Sequence, residues 1–223
     1  MIHLADMQTS SFLPICQAMN GQDPPAFLVV GKGPSSDRLA AAMLKLQTEY
    51  RCVKVLTLND AAKLVRAPDI AHFIDMEAAD RCSGTDAAQV MVPTVMHRNN
   101  KPFLNVLDEL EKGPSELLPS LVGAADAANR LIVYDKVPVE AGRWHWKSEG
   151  VLPVRYFSAE AVFGFLAVMG VKKVYSVGVD GGTGYSTSFA GLQPLTNGRP
   201  SFDAQLQPIA DILLRFGMEW DKL

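Results

Sequence analysis

Residues 155–189, RYFSAEAVFGFLAVMGVKKVYSVGVDGGTGYSTSF, change character three times. Residues 158–169 are apolar almost all round, which predicts a helix buried on every side. Gly164 within it marks close approach to a neighbour, and Gly170 suits the left-handed position that ends a helix. Residues 173–177 then read as a short buried strand. The loop that follows opens on Asp180 and is rich in Gly, Ser, Thr and Tyr. In a parallel α/β sheet the loop leaving the carboxyl end of a strand is where a ligand sits. Small residues there let backbone amides approach a phosphate, while hydroxyls and one carboxylate suit sugar oxygens.

A second loop of this kind follows the first convincing strand, residues 27–30. It reads Val29-Val30-Gly31-Lys32-Gly33-Pro34-Ser35-Ser36-Asp37. It lacks the Gly-Lys-Ser/Thr of a Walker A loop and the third glycine of a dinucleotide fingerprint. A strand, a Gly-rich turn and a helix start still make an anion site from amides and the helix dipole. An ordinary tight turn is the plainer reading of the same residues.

Between and beyond these loops the pattern repeats. Ser36 or Asp37 can N-cap a helix running to residue 49, with Leu39, Met43, Leu46 and Tyr50 on one face. Strands are expected at 52–58, 70–74, 90–96 and 131–134, with Pro93 placing the 90–96 segment at an edge or a bulge. Residues 102–126 look helical but broken at Gly113-Pro114, and 202–216 form a last amphipathic helix. Residues 136–154 make a long connection containing Arg143-Trp144-His145-Trp146-Lys147, and loops of that length are usually functional. Alternation of strands and helices predicts a Rossmann-like three-layer α/β/α fold with a mostly parallel sheet. Residues 1–25 are read as an N-terminal extension and 26–223 as one nucleotide-sugar-binding domain.

A chain of 223 residues, 48% hydrophobic, can bury one sizeable core. With 21 basic and 24 acidic residues the net charge is −3, which offers no sequence-independent grip on nucleic acid. Three cysteines, Cys16, Cys52 and Cys82, lack metal-ligand spacing, and Cys52 at the head of an apolar run reads as a buried free thiol. No apolar stretch reaches the ~18 residues of a membrane span, and no secretory signal is visible, so a cytoplasmic location is expected.

Asn59, Asp75, Asp135 and Asp180 each fall at or just after an expected strand end, where polar side chains face the crevice. Helix capping is the alternative for any one of them. His97, in a polar loop after a strand, reads either as a solvated loop residue or as a candidate general base. His72, inside an apolar strand, reads as a core histidine, and His145 between two tryptophans either as part of an acceptor lid or as part of an aromatic anchor for its loop.

The segments VVGKGPSSD, LTLND and SAEAVFGFLAVMGVKKVYSVGVDGGTGYSTSF resemble the bacterial sialyltransferase-like glycosyltransferases and related domains of capsule and lipopolysaccharide biosynthesis. That family's members include transferases that use a CMP-activated 3-deoxy-2-keto sugar. The resemblance covers residues 27–189 in discontinuous blocks and is densest over 155–189. It implies that Gly31, Lys32, Gly33, Pro34 and Ser35 carry the donor phosphate and that Asn59 contacts the donor. It assigns Arg155 and Ser158 to the Arg-X-X-Ser before the central helix. Gly178 and Asp180, with Gly181, Gly182 and Thr183 beyond, would meet the cytidine, and Tyr185 would help the phosphate leave. Two departures stand out: Lys32 replaces the usual asparagine, and no histidine follows His145, where the family's catalytic histidine would lie.

The resemblance implies metal-independent, inverting transfer from a CMP-sugar donor, with no cofactor, to a glycan or glycolipid acceptor of the bacterial surface. It further implies an assembly peripheral to the inner membrane. Asp75 and His97 are the candidate bases, Asp75 preferred for its rigid strand end. A more distant likeness, to the archaeal-type pterin diphosphokinases, implies Mg²⁺ held by Asp75, Asp135 and Asp180. A non-catalytic sugar- or nucleotide-binding module is the third reading.

Overall fold

A computed structural model of the chain describes residues 2–3, 24–97, 103–137 and 151–223. Its strands are β1 (Ile2–His3), β2 (Ala26–Val30), β3 (Val53–Leu58), β4 (Ile70–His72), β5 (Gln89–Pro93), β6 (Val95–Met96), β7 (Leu104–Asn105), β8 (Leu131–Val137), β9 (Val151–Pro153), β10 (Lys173–Val177) and β11 (Glu219–Lys222). Its helices are α1 (Leu39–Glu49), α2 (Met76–Arg81), α3 (Val106–Glu111), α4 (Ser120–Ala127), α5 (Ser158–Val168) and α6 (Leu206–Phe216). Short 3₁₀ turns at Pro34–Arg38, Asn59–Leu64, Thr187–Phe189 and Phe202–Gln205 sit beside them.

Nine strands form one sheet in the order β1-β8-β5-β4-β3-β2-β10-β11, with β9 pairing β8 beyond the others. Every pairing in this sheet is parallel. Strands buried on both faces need continuous apolar runs, and β2 supplies one, with all five residues buried. Leu28 and Val30 face α1, packing with Ala42 and Leu46, while Phe27 and Val29 face the opposite layer. Helices α2 and α4 lie on the α1 side, against Val90, Val92, Leu131 and Val133. Helices α5 and α6 cover the other side, against Leu56, Met91 and Ile132. The expected three-layer α/β/α architecture is therefore present.

α5 is the central helix that its composition demands. Every residue from Ser158 to Ala167 is buried, and each large apolar side chain among them contributes about 1.5–3 kcal/mol by leaving water. The helix begins where Glu160 accepts the backbone N–H groups of Arg155, Tyr156 and Phe157. It ends where Gly170 takes a left-handed φ of 81° and Val171 N–H returns to the Leu166 carbonyl at 3.0 Å.

The chain leaves β2 outward through β3, β4, β5 and β8, then returns across α5 to β10 on the other flank of β2. Direction reverses between β2 and β10, and that is the switch point where such sheets open a crevice.

Several expectations need correction. Pro93 does not mark an edge: β5 is central, between β4 and β8, and Pro93 is its last residue, opposite Tyr134. A missing N–H is tolerated there because the ladder is ending. Neither Ser36 nor Asp37 caps α1; the Pro34–Arg38 turn intervenes, and Asp37 instead accepts from Thr187 Oγ1 at 3.1 Å. Cys52 is exposed, because β3 begins one residue later at Val53, and of the two described cysteines Cys82 is the buried one. β8 runs on to Val137, so Asp135 lies within the strand and not at its end. The strands β1 and β11 extend the sheet at its two ends. Cys16, most of the 1–25 segment, and Arg143 to Lys147 with His145 lie outside the described residues. No helix among the described residues is long and apolar enough to cross a membrane.

Candidate functional site

The carboxyl ends of β2, β3, β4 and β10, the start of α5 and the Phe202–Gln205 turn enclose a crevice of about 840 Å³. Ligand pockets for drug-sized molecules span roughly 300–1,000 Å³. Among the described residues Lys32, Arg81, Lys136, Arg155 and Arg199 line it, with the carboxylates Asp75 and Asp180. Tyr156, Phe157, Tyr185 and Phe202 form an aromatic wall, in which Tyr185 stacks on Phe202 with ring centroids 5.5 Å apart.

Of the residues expected at the site, Gly31, Lys32, Gly33, Asn59, Asp75, His97, Arg155, Ser158, Gly178, Asp180, Gly181 and Tyr185 line this crevice. Pro34, Ser35, Gly182 and Thr183 do not. Pro34 opens the 3₁₀ turn, Ser35 is buried beneath it, Gly182 N–H donates to Asp203, and Thr183 is exposed.

The turn after β2 is built differently from a phosphate loop. Gly31 N–H donates to the Val177 carbonyl at 2.8 Å and Gly33 N–H to the Gly178 carbonyl at 2.9 Å. A Cβ on Gly31 would collide with the Gly178 carbonyl oxygen, and one on Gly33 would sit 2.6 Å from Asp180 Oδ2. These glycines therefore serve close approach of the two loops to each other. Asp180 completes the join. Its Oδ2 accepts Ser35 N–H at 2.7 Å and its Oδ1 accepts the Ser35 hydroxyl at 2.5 Å, while Gly178 N–H donates to Ser35 Oγ at 2.6 Å. Asp180 caps no helix of its own, since none follows it; in this structure it ties its loop to the turn after β2.

Asn59 is a tie as well. With a left-handed φ of 51°, it accepts Ile74 N–H on Oδ1 and donates from Nδ2 to Ser158 Oγ, both at 3.0 Å. One side chain thus joins the ends of β3 and β4 to the first turn of α5. Beside it lies Asp60, fully buried, which the sequence reading missed. Asp60 takes Arg81 Nε at 2.6 Å, Arg81 Nη2 at 2.8 Å and Lys32 Nζ at 3.1 Å. Burial alone would raise the Asp60 pKa; the hydrogen bond from Arg81 and the charge of Lys32 outweigh it and hold the carboxyl below its ordinary range. Lys32 Nζ also stands 4.4 Å from the Tyr185 ring centre, a cation–π contact.

The two candidate bases meet at one wall. Asp75 and His97 bridge through their backbones, with Met76 N–H donating to the His97 carbonyl at 2.9 Å. Asp75 Oδ1 accepts Ala78 N–H at 2.7 Å as the N-cap of α2. Burial pushes its pKa up, against the Ala78 N–H and the charges of Lys32 and Arg81. His97 packs edge-on to Phe103 at 4.5 Å, and desolvation with the nearby Lys136 charge lowers its pKa. Lys136 itself is drawn down to about 8 by burial.

His72 is the core histidine expected of it, buried and bonded through Nε2 to the Tyr134 hydroxyl at 2.8 Å. Asp135 does not line the crevice; it accepts from Thr94 Oγ1 at 2.6 Å. The carboxylate trio Asp75, Asp135 and Asp180 is therefore not brought together. Its sequence cue failed because β8 continues past Asp135.

Arg155 and Tyr156 are held at the crevice by the Glu160 carboxylate, and Arg199 caps the Tyr156 ring at 4.0 Å. No protein-family model matches the chain, and no curated protein matches it either.

Proposed function

We propose that this crevice binds a nucleotide sugar, CMP-linked, and that the chain transfers the sugar to a glycan or glycolipid of the bacterial surface. The observation that carries the reading is the cationic bias of a crevice of nucleotide-sugar size at the switch point of a parallel sheet. With Asp60 taking Lys32 and Arg81 and Asp211 near Arg155, the five cations and the lining carboxylates Asp75 and Asp180 still leave a positive balance, which suits a phosphate diester with a charged sugar. The aromatic wall offers faces for a base or a sugar ring.

In the proposed reaction an acceptor hydroxyl attacks the anomeric carbon as the bond from that carbon to the phosphate oxygen breaks. The leaving CMP takes the electron pair, and the crevice cations stabilise the charge that develops on it. The acceptor's proton passes to Asp75, whose buried carboxyl has a raised pKa that makes it a stronger base. Asn59 and Glu160 hold the ends of β3 and β4 and the Arg155–Phe157 segment, so the site is assembled before the ligand arrives. The same reading locates the chain in the cytoplasm, peripheral to the inner membrane.

Calorimetric titration with CMP-, UDP- and GDP-sugars, with and without EDTA, tests it. Saturable binding of a CMP-sugar indifferent to EDTA is expected, followed by CMP release when acceptor glycan is added. Silence with all three donor classes would remove the proposal. Magnesium-dependent ATP binding would favour the phosphotransferase reading. Donor binding with no CMP release on any acceptor would favour a binding module.

A further inference from the structure

The turn after β2 has few amides to offer a phosphate. Gly31 and Gly33 donate to the Val177 and Gly178 carbonyls, Ser35 N–H to Asp180, and Ser36 N–H to the Gly33 carbonyl. An anion reaching this corner of the crevice is met by side chains instead. Lys32 and Arg81 differ from the other cations there in being fixed at one common point. Asp60, 0% exposed, takes both, and it uses only the Nε/Nη2 edge of the Arg81 guanidinium. Nη1 lies outside that pairing. Two cations against the buried Asp60 leave one positive charge at this point while the adjoining Asp75 is protonated. Long cationic side chains normally lose rotamer freedom when they close on an anion. Here that ordering is part of the fold, because Asp60 fixes both and the Tyr185 ring packs against Lys32.

We infer that Lys32 and Arg81, locked in place by Asp60, form the seat of the ligand's phosphate group. Asp60 is then a positioning residue, and Arg81 a binding residue supplied by the last turn of α2. For the rest of the ligand the inference rests on the nucleotide-sugar reading; for the phosphate it does not. Asp75 adjoins the same corner and feels both charges, so a bound phosphate and an ionised Asp75 share these two cations.

The test is calorimetry on the full chain with inorganic phosphate, CMP and cytidine at low ionic strength. CMP is expected to bind far more tightly than cytidine, and inorganic phosphate to compete with it. Arg81→Ala and Lys32→Ala should each weaken CMP binding on the order of ten- to hundred-fold while leaving cytidine unaffected. Arg81→Lys should restore only part, since an ammonium group lacks the side-on fork that holds Asp60. Should Arg81→Ala not fold, Arg81→Lys and Lys32→Ala carry the comparison. Wild-type CMP affinity in the folded variants would overturn the seat, as would equal affinity of the wild type for CMP and cytidine. Binding of inorganic phosphate through Arg81 without any binding of CMP would keep the seat and remove the nucleotide-sugar reading. Binding of neither removes the seat.

Discussion

Gly31 and Gly33 are glycines because another loop passes against them. The Gly178 carbonyl stands where a Gly31 Cβ would be, and it belongs to the backbone, so it has no flexible end to give way. Gly31→Ala should lower the unfolding free energy of the ligand-free protein by about 1–3 kcal/mol, the range for overpacking a close contact. Urea denaturation reads this directly. An unchanged midpoint together with lost nucleotide affinity would return the turn to phosphate binding. Asp180→Ala should act in the same way, costing about 1–3 kcal/mol, because it leaves the buried Ser35 N–H and hydroxyl without their acceptor. That the turn was special was legible in its residues. Its partner was not, since Ser35 and Asp180 are 145 residues apart and nothing local in either segment names the other. Asp60 and Arg81 were illegible for a similar reason: each reads as an ordinary surface charge until the Asn59–Leu64 turn and α2 are brought side by side.

The helix α5 and the strand β2 were legible because burial on every side forces near-continuous apolar runs, and β3 and β10 because mostly apolar residues outline them despite Lys54, Thr57, Lys173 and Ser176. β11 was not: Glu219, Asp221 and Lys222 are exposed at the sheet edge, so Glu219–Lys222 carries no apolar period to read. Within α5 and its neighbours, two buried titratable groups give opposite pH dependences. Glu160, at the start of α5, is raised by burial from 4.5 to about 7 despite its three backbone N–H partners and Arg155. As pH climbs from 4.5 towards 7 the unfolded chain loses this proton first, so the Glu160 contribution to stability falls with rising pH. His72, in β4, is lowered by burial, and by the charge of Lys136, from 6.5 to about 3. Its contribution is present above 6.5 and is lost as pH falls towards 3. Between pH 4.5 and 6.5 the two slopes oppose each other. Glu160→Gln should remove the falling one, so that stability of the variant rises more steeply with pH across that window than in the wild type. Denaturation midpoints measured every half pH unit test this, and parallel slopes in both proteins would show that Glu160 is ionised throughout.

Across the whole molecule, a chain of net charge −3 gathers five cations around one crevice, so the average charge conceals the feature that matters most. The crevice itself was legible from polar residues at strand ends: Asn59, Asp75 and Asp180 arrive there, and Asp135 fails because its strand continues. Asn59 and Asp180 are held in contacts with other parts of the fold, so the proposed reaction would find its proton acceptor on the wall shared by Asp75 and His97. Asp75 is the better base on three counts. It is carried by the rigid junction of β4 and α2, it lines the crevice with Oδ1 already held by Ala78 N–H, and burial raises its proton affinity. His97 is exposed, and its pKa is pushed down by desolvation and Lys136. Asp75→Asn is the cleanest test because asparagine caps a helix about as well as aspartate, so α2 should keep its start. Turnover of a CMP-sugar should fall by about 10²–10⁴-fold, the usual worth of a positioned general base. Donor affinity, measured by calorimetry on the same variant, should stay near the wild-type value. In the wild type the acid limb of the rate profile should lie above the ordinary 3.8 of an aspartate, because the proton must leave a carboxyl whose pKa is raised. His97→Ala should keep most of the activity. Loss of turnover in His97→Ala with activity retained in Asp75→Asn would move the base one residue contact along the same wall. Full activity in both would place the proton acceptor outside this crevice and take the proposed transfer reaction with it.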